Sequence, residues 1–375
     1  MTTGSLFASC YWSSGIHILL FSVTAMPFAQ LVIGPPGSGK STYCSGMLQF
    51  LSAIGRKTSV INLDPANDHT NYDPALDIRN FITIEDIMSQ EGLGPNGGIM
   101  RAMEELEQNW DDFMQEIKNL GSSDYLIFDC PGQVELFTHH HSLRSLFLKL
   151  QKLDYRLVVV NLIDSFYITS PTQYISVLLL ALRSMLQLDL PHINVLSKID
   201  LLSNYGKLDF NLDFYSEVQD LNYLLPLIKR ESPTLLGGKF ASLNEAIADL
   251  IMDFGLVEFE VLAVEDKKSM ISLLSVIDKA TGYTFGSTEI GGDTIWAEAT
   301  RQGGYLGSIA DIQERWIDHK EEYDQQERLE REERMRALDQ EFGRKMTPEE
   351  EWEDEVQRWE AEQGGIIGRG FKNGL

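Results

Sequence analysis

Cysteine is scarce in this 375-residue chain, with only Cys10, Cys44 and Cys130 present. Three scattered thiols make neither a disulfide framework nor a metal-ligand spacing, which fits a reducing cytosol or nucleus; a cytoplasmic location with shuttling to the nucleus is expected. Basic side chains are also short, 31 Lys and Arg against 56 Asp and Glu, for a formal net charge of -25. A surface this acidic repels nucleic acid and anionic lipid. Neither a direct nucleic-acid contact nor a membrane is expected, and any connection to nucleic acid runs through protein partners. Long hydrophobic runs are missing as well. The apolar stretch Ile16–Ala25 is too short to span a bilayer as a helix, and no charged segment precedes it as in a signal peptide. Translation is expected to start at Met26, which leaves residues 1–25 as an unstructured or spurious extension.

What the chain does contain is core material and a regular alternation. With 43% hydrophobic residues it can bury a large α/β domain and carry an appendage. Apolar runs of strand length recur, and each ends in a polar cluster: Leu31-Val32-Ile33, Val60-Ile61-Asn62-Leu63, Tyr125-Leu126-Ile127-Phe128, Leu157-Val158-Val159-Val160-Asn161, Ile193-Asn194-Val195-Leu196 and Phe259-Glu260-Val261-Leu262. Helical patterns separate most of them. Near-continuous apolar strands alternating with helices predict a mostly parallel sheet flanked by helices, with ligands bound at the strands' carboxyl ends. The polar clusters therefore converge on one site.

The first cluster is Gly34-Pro35-Pro36-Gly37-Ser38-Gly39-Lys40-Ser41-Thr42, between a buried strand and a helix-length apolar run. This is a phosphate-binding loop, and it makes the fold class an α/β P-loop NTPase. Its glycines let backbone N–H groups close on a polyphosphate. Lys40 is expected to reach the β- and γ-phosphates and Ser41 to ligate Mg²⁺. Asp129 closes another strand and is expected to hold Mg²⁺ through water. Gly132 lets an N–H approach the γ-phosphate, and Gln133 orients the attacking water. The competing reading of Asp-Cys-Pro-Gly is an ordinary turn. Asp64 falls where a second switch belongs; its carboxylate serves the metal's water shell or polarises the nucleophile, although an Asp-Pro pair also reverses chains.

Base choice rests on Ser197-Lys198-Ile199-Asp200. A carboxylate at Asp200 accepts from both N1–H and the exocyclic amine of guanine, whereas adenine has no N1 donor, so GTP is favoured over ATP. Lys198 lies along the base plane, and the backbone at Ala263 to Glu265 contacts the base oxygen. Ser197 departs from the asparagine that GTPases commonly carry there, and nearby Asn194 points elsewhere.

Taken in order, the phosphate loop, Asp64-Pro65-Ala66-Asn67, Gly94-Pro95-Asn96, Asp129-Cys130-Pro131-Gly132-Gln133 and Ser197-Lys198-Ile199-Asp200 resemble the GPN-loop GTPase family, from about Phe28 to about Tyr283. Within it, Val134-Glu135-Leu136-Phe137-Thr138-His139-His140 and Asp278-Lys279-Ala280-Thr281-Gly282-Tyr283 most resemble the second of three eukaryotic paralogues. The resemblance implies a dimer, homo- or heteromeric, in which Gly94-Pro95-Asn96 of each subunit reaches the partner's nucleotide and sets Asn96 near the γ-phosphate. It also implies a part in assembly and nuclear delivery of RNA polymerase II, with polymerase subunits or assembly factors as partners. Composition bears on none of that.

Other features carry competing readings. Asn96 is also a favoured N-cap for the helix that follows. That helix shows Ile99, Met103, Leu106, Trp110, Phe113 and Ile117 at helical spacing, a stripe for the core or for a dimer contact. His139-His140-His141 fan out around a helix axis, a poor arrangement for one metal ion. The domain plan is a GTPase body over residues 26–290, with a helical insertion at about 201–250, and an acidic helical tail over 291–375. The insertion's Phe210, Leu212, Phe214 and Tyr215 fit a lid, a partner surface or core packing. In the tail, Ser308 and Asp311 are spaced as a capping box and Thr347-Pro348-Glu349-Glu350 marks a second start. Trp352, Val356 and Trp359 beyond it form a stripe that is either solvated or docks into a groove, and the Gly-rich end from Gly364 is expected to be disordered. Two functions from other classes stand beside GTP hydrolysis: a non-enzymatic scaffold whose dimer is fixed by nucleotide, and a P-loop kinase passing the γ-phosphate of ATP to a hydroxyl.

Overall fold

Each apolar run read from sequence becomes a strand because alternate residues on both faces are apolar and helices cover both faces. The computed structural model describes residues 27–67, 70–120, 125–231, 240–283 and 309–342. The expectations for residues 1–25, Ser308 and everything beyond Phe342 lie outside the described residues. The strands are β1 (Phe28–Ile33), β2 (Thr58–Asn62), β3 (Leu76–Asp77), β4 (Tyr125–Asp129), β5 (Arg156–Asp164), β6 (His192–Ser197) and β7 (Phe259–Val261). They form one seven-stranded sheet in the order β3-β2-β4-β1-β5-β6-β7, parallel at every pairing. Only β3 escaped the sequence reading, since two residues make no period. It extends β2 through the pairs Ile61 with Leu76 and Asn62 with Asp77.

β1 lies at the centre, between β4 and β5, with Leu31 opposite Phe128 on one side and Val159 on the other. The chain leaves β1 toward β2 and later returns across it to β5, so the reversal of strand order falls at β1's carboxyl end. Open α/β sheets bind their ligands in the crevice at such a reversal.

The helices preceding β5 are α1 (Lys40–Ala53), α2 (Ile84–Glu91), α3 (Pro95–Gln108), α4 (Trp110–Leu120), α5 (Val134–Thr138) and α6 (Ser142–Gln151). The single helix expected from Ile99 to Ile117 is in fact two, α3 and α4. At Asn109 the side-chain Nδ2 donates to Glu105 O (3.0 Å), competing for a helical carbonyl and ending the first segment. The apolar stripe continues across the break. Ile99, Met103, Leu106, Phe113 and Ile117 are all buried in one core cluster, with Trp110 packed against it. The stripe is core rather than dimer surface.

After β5 come α7 (Pro171–Leu188), the short α8 (Leu202–Tyr205), α9 (Leu212–Ser216) and α10 (Leu225–Glu231), then α11 (Ala241–Phe254) and α12 (Lys267–Thr281). Phe210, Phe214 and Tyr215 of the insertion face inward. Phe210 stacks on Phe214 at 4.3 Å, Tyr215 meets Tyr174 of α7 edge-on at 5.1 Å, and Tyr174 donates to Tyr215 O at 2.7 Å. A buried aromatic pair of this geometry adds about 0.5–1.5 kcal/mol beyond its area. Of the readings open for these residues, core packing is the one realised. A further short helix, α13 (Ile309–Gln313), joins the same core through Ile309 and Ile312, and Gln313 Oε1 accepts from Leu212 N.

At the sheet's amino end Arg56 and Asp278 form a bidentate pair, both bonds 2.9 Å, with side chains only 2% and 0% exposed. The Tyr283 ring lies 3.7 Å beneath the guanidinium. This ties the α1–β2 turn to α12, so the Asp278–Tyr283 motif has a structural purpose. A second compact unit begins at Asp318 and contains α14 (Lys320–Phe342), whose composition is strongly polar.

Candidate functional site

The phosphate loop springs from β1 under tight backbone constraint. Gly34 has φ +146, and a Cβ there would stand 2.2 Å from Leu162 O of β5, so no other residue fits. Ser38 N closes a turn onto Pro35 O, and Gly39, φ +89, starts α1. The loop's amides thus meet a helix N-terminus, which together favour a phosphate.

Lys40 is nearly buried, and its Nζ donates to Gly34 O (3.1 Å) and Pro35 O (3.3 Å). Burial lowers its pKa, while the charges of Asp129 and Asp64 act the other way. Gly132 is pressed against this assembly. A Cβ on it would lie 2.9 Å from Lys40 Nζ and 3.3 Å from the Pro36 backbone. The Asp129-to-Gln133 segment therefore sits on the phosphate loop, as its sequence implied.

Asp129 is 1% exposed at the end of β4. Its Oδ2 accepts from Tyr72 Oη at 2.8 Å, and its Oδ1 is buried with no partner among the described residues. Burial raises its pKa, countered by the Ser41 and Tyr72 hydroxyls and the Lys40 charge. Ser41 Oγ accepts from Asn67 Nδ2 at 3.1 Å. Among the described residues no group of three His, Cys, Asp or Glu could grip a metal ion by itself. A hydroxyl beside an orphaned carboxylate oxygen is instead a sparse, all-oxygen set, which fits Mg²⁺ that keeps its waters and shares phosphates.

Asp64 follows β2 and is half-buried, its Oδ1 accepting from Ala66 N at 3.0 Å. Burial raises its pKa; the amides of Ala66 and Gly132 and the Lys40 charge lower it. Its backbone is fixed by Asn62, whose amide contacts Asp64 on both sides and bonds Asp77, itself paired to Arg79 at 2.6 Å. Sequence reading gave Asn62, Asp77 and Arg79 no role, because their contact depends on β3 pairing with β2. Gln133, half-exposed, stands at the N-cap position of α5 next to Gly132, without a side-chain capping bond.

At the other end of the loop the polar turn after β6 is wired directly to it. Ser197 Oγ donates to Ser38 O at 2.7 Å, and Lys198, in a left-handed conformation at φ 59, donates from Nζ to Gly37 O at 2.5 Å. Lys198 also pairs with Asp164 at 2.8 Å, so the residue that ends β5 is a site residue without an assigned role in sequence. Beside them opens a cleft of about 230 Å³ with Thr42, Lys198, Asp200, Leu201, Val264 and Glu265 in its wall. Ala263 stands behind that wall. It is fully buried, and its N–H and carbonyl are both engaged by Ser269 Oγ, so Val264 and Glu265 face the cleft in its place. Asn194 is held inside the sheet, accepting from Asn161 at 2.9 Å.

Gly94, Pro95 and Asn96 are exposed at the start of α3, and the cap position is Gly94, not Asn96. The helix-cap reading of Asn96 therefore fails: Gly98 N bonds to Gly94 O, and Asn96 sits in the first turn with its side chain outward. Among the described residues no hydrogen bond joins Gly94, Pro95 or Asn96 to the phosphate loop of the same chain. α3 is instead tied to the segment after Gln133, with His140 Nε2 3.2 Å from Glu104 Oε1 and Lys149 donating to Glu107 O. His139 contacts the Thr138 hydroxyl at 2.7 Å.

A family model described as a conserved hypothetical ATP-binding protein matches residues 32–283. Among curated relatives, GPN-loop GTPase 2 of Saccharomyces cerevisiae is 58% identical over 347 residues, covering 90% of this chain and 99% of its own. GPN-loop GTPase 2 of Danio rerio is 50% identical, covering 71% of this chain and 84% of its own. GPN-loop GTPase QQT1 of Arabidopsis thaliana is 44% identical, covering 79% and 99%. Among solved structures, an apo-form GTPase from Pyrococcus abyssi aligns with TM-score 0.54 at 27% identity, covering 68% of this chain and 98% of its own.

Proposed function

Since the chain belongs to the GPN-loop GTPase family, we propose that it binds GTP with Mg²⁺ and hydrolyses it to GDP and phosphate, acting as a dimer in the assembly and nuclear import of RNA polymerase II. The observation that carries the nucleotide reading is the direct wiring of base turn to phosphate loop, Ser197 to Ser38 and Lys198 to Gly37. Those bonds hold the turn that carries Asp200 against the phosphate loop, which supports reading it as the guanine-binding carboxylate. They also give Ser197 a purpose that needs no asparagine.

Base choice bears on the word ATP in the family model's description. A carboxylate at Asp200 leaves an unpaired acceptor against adenine and two good bonds against guanine, a difference that buried polar sites turn into strong selectivity. In hydrolysis the work is positioning and charge neutralisation. The loop amides and Lys40 hold the phosphates. Gln133 and Asp64 orient and polarise the water in line with the γ-phosphate. Ser41 and, through water, Asp129 would hold Mg²⁺, which supplies charge neutralisation at the phosphate oxygens.

Exposure of Asn96 away from its own phosphate loop favours a dimer in which it serves the partner's site. The polymerase role rests on kinship and on the acidity that directs such a chain toward proteins rather than nucleic acid. The discriminating experiment is single-turnover hydrolysis of labelled GTP and ATP by the purified dimer, with tagged chain tested for recovery of polymerase subunits. Release of inorganic phosphate from GTP alone is expected. Retention of intact GTP for hours would favour the scaffold, and label on an acceptor would favour the kinase.

A further inference from the structure

We propose that Tyr72, with Asn67 from the same loop, is a positioning residue that orients the two magnesium ligands, Asp129 and Ser41; the inference rests on the magnesium-dependent reading above. The loop leaves β2 at Asp64 and returns to the sheet at β3. Two of its polar side chains end on the two side chains read as metal ligands: Tyr72 Oη on Asp129 Oδ2 at 2.8 Å, and Asn67 Nδ2 on Ser41 Oγ at 3.1 Å. No other loop supplies such a pair among the described residues.

The chemistry of each bond is directional. An ionised carboxylate only accepts, so the phenol donates and fixes Oδ2, leaving the buried, unpartnered Oδ1 as the oxygen available to a hydrated cation. A carboxylate held at one oxygen cannot swing about its Cβ–Cγ bond. Asn67 likewise donates to Ser41 Oγ, which occupies one lone pair and leaves the other for a cation. The loop is itself anchored on α1, where Ser45 Oγ donates to Asn71 O at 3.1 Å, and Thr70 Oγ1 donates to Tyr72 O at 2.8 Å. Tyr72, 8% exposed, is therefore held from both ends. Hydrogen bonds that orient a metal ligand are worth about 10- to 100-fold in metal affinity.

The test titrates Mg²⁺ into the full chain bound to a fluorescent GDP analogue, for the wild type, Y72F and N67A, and measures the analogue's affinity separately in EDTA. The Mg²⁺ dissociation constant is expected to rise about 10- to 100-fold in Y72F, with the EDTA affinity within about twofold of wild type. N67A should shift in the same direction by less. Equal Mg²⁺ affinity in Y72F and wild type overturns the proposal. An equally large loss in EDTA also overturns it, because the phenol would then prop the nucleotide loop rather than the metal ligand. Should thermal unfolding show that Y72F does not fold, the half-exposed N67A decides, and unchanged Mg²⁺ affinity there overturns the proposal. A wild type that holds the analogue equally with and without Mg²⁺ would instead sink the magnesium reading, and the inference with it.

Discussion

The base choice proposed above rests on one side chain, Asp200, whose neighbour Lys198 is fixed. Lys198 is pinned to Gly37 and Asp164, so its stem forms one wall of the cleft, and Asp200 lies in the same wall. Asp200→Asn exchanges two acceptor oxygens for one acceptor and one donor. GTP affinity should fall about 10- to 100-fold with a relative gain for xanthine nucleotides, measured by competition binding; an unaltered base preference would refute the guanine contact. His192 offers a different, purely electrostatic prediction. Among the described residues its buried Nδ1 has no partner, and burial lowers its pKa to about 3 from the ordinary 6.5. The folded state thus binds fewer protons than the unfolded state between those values. Stability contributed by the neutral ring is present above pH 6.5 and is lost as pH falls toward 3, by at most about 1.4 kcal/mol per pH unit. Urea titrations of wild type and H192Q across that window should differ in slope; parallel curves would refute it.

Among elements, α3 is free at its first turn and anchored along its length. Its exposed first turn presents Asn96, and its buried face and Glu104 bind it to the segment that follows Gln133. If Asn96 serves a partner's γ-phosphate, Asn96→Ala should lower kcat on the order of 100-fold with little change in GTP affinity, read from steady-state kinetics beside equilibrium binding. A normal kcat would leave the exposed turn without a catalytic role. The α12 helix is held by a bond of another kind. Asp278→Ala removes the carboxylate that pairs with a buried guanidinium lying over two tyrosine rings, which costs about 3–5 kcal/mol in urea unfolding. Loss below 1 kcal/mol would mean that water reaches the guanidinium.

For the whole molecule, nucleotide binding and folding are linked through the same sheet. A ligand held only by the folded chain stabilises it by about 2.7 kcal/mol at one hundred times its dissociation constant. Differential scanning should show this rise with GTP and none in Lys40→Ala, whose missing ammonium removes the phosphate contact. Equal rises in both proteins would detach Lys40 from the nucleotide. The net charge of -25 acts at this level too, through a summed field that repels polyanions rather than through any particular contact.

Motifs whose function is built into local backbone could be read before any fold was known. Gly34, Gly39 and Lys40 announce a phosphate loop because the turn demands positive φ and the lysine follows at fixed spacing; the strands announce themselves by unbroken apolar runs. Contacts made across sequence distance carried no such mark. Tyr72 touching Asp129 and Asn62 reaching Asp77 were decided by packing. The apolar stripe of α3 and α4 and the insertion's aromatics had two or more admissible fates in sequence. Burial chose the core, because apolar area gains most where water is wholly excluded.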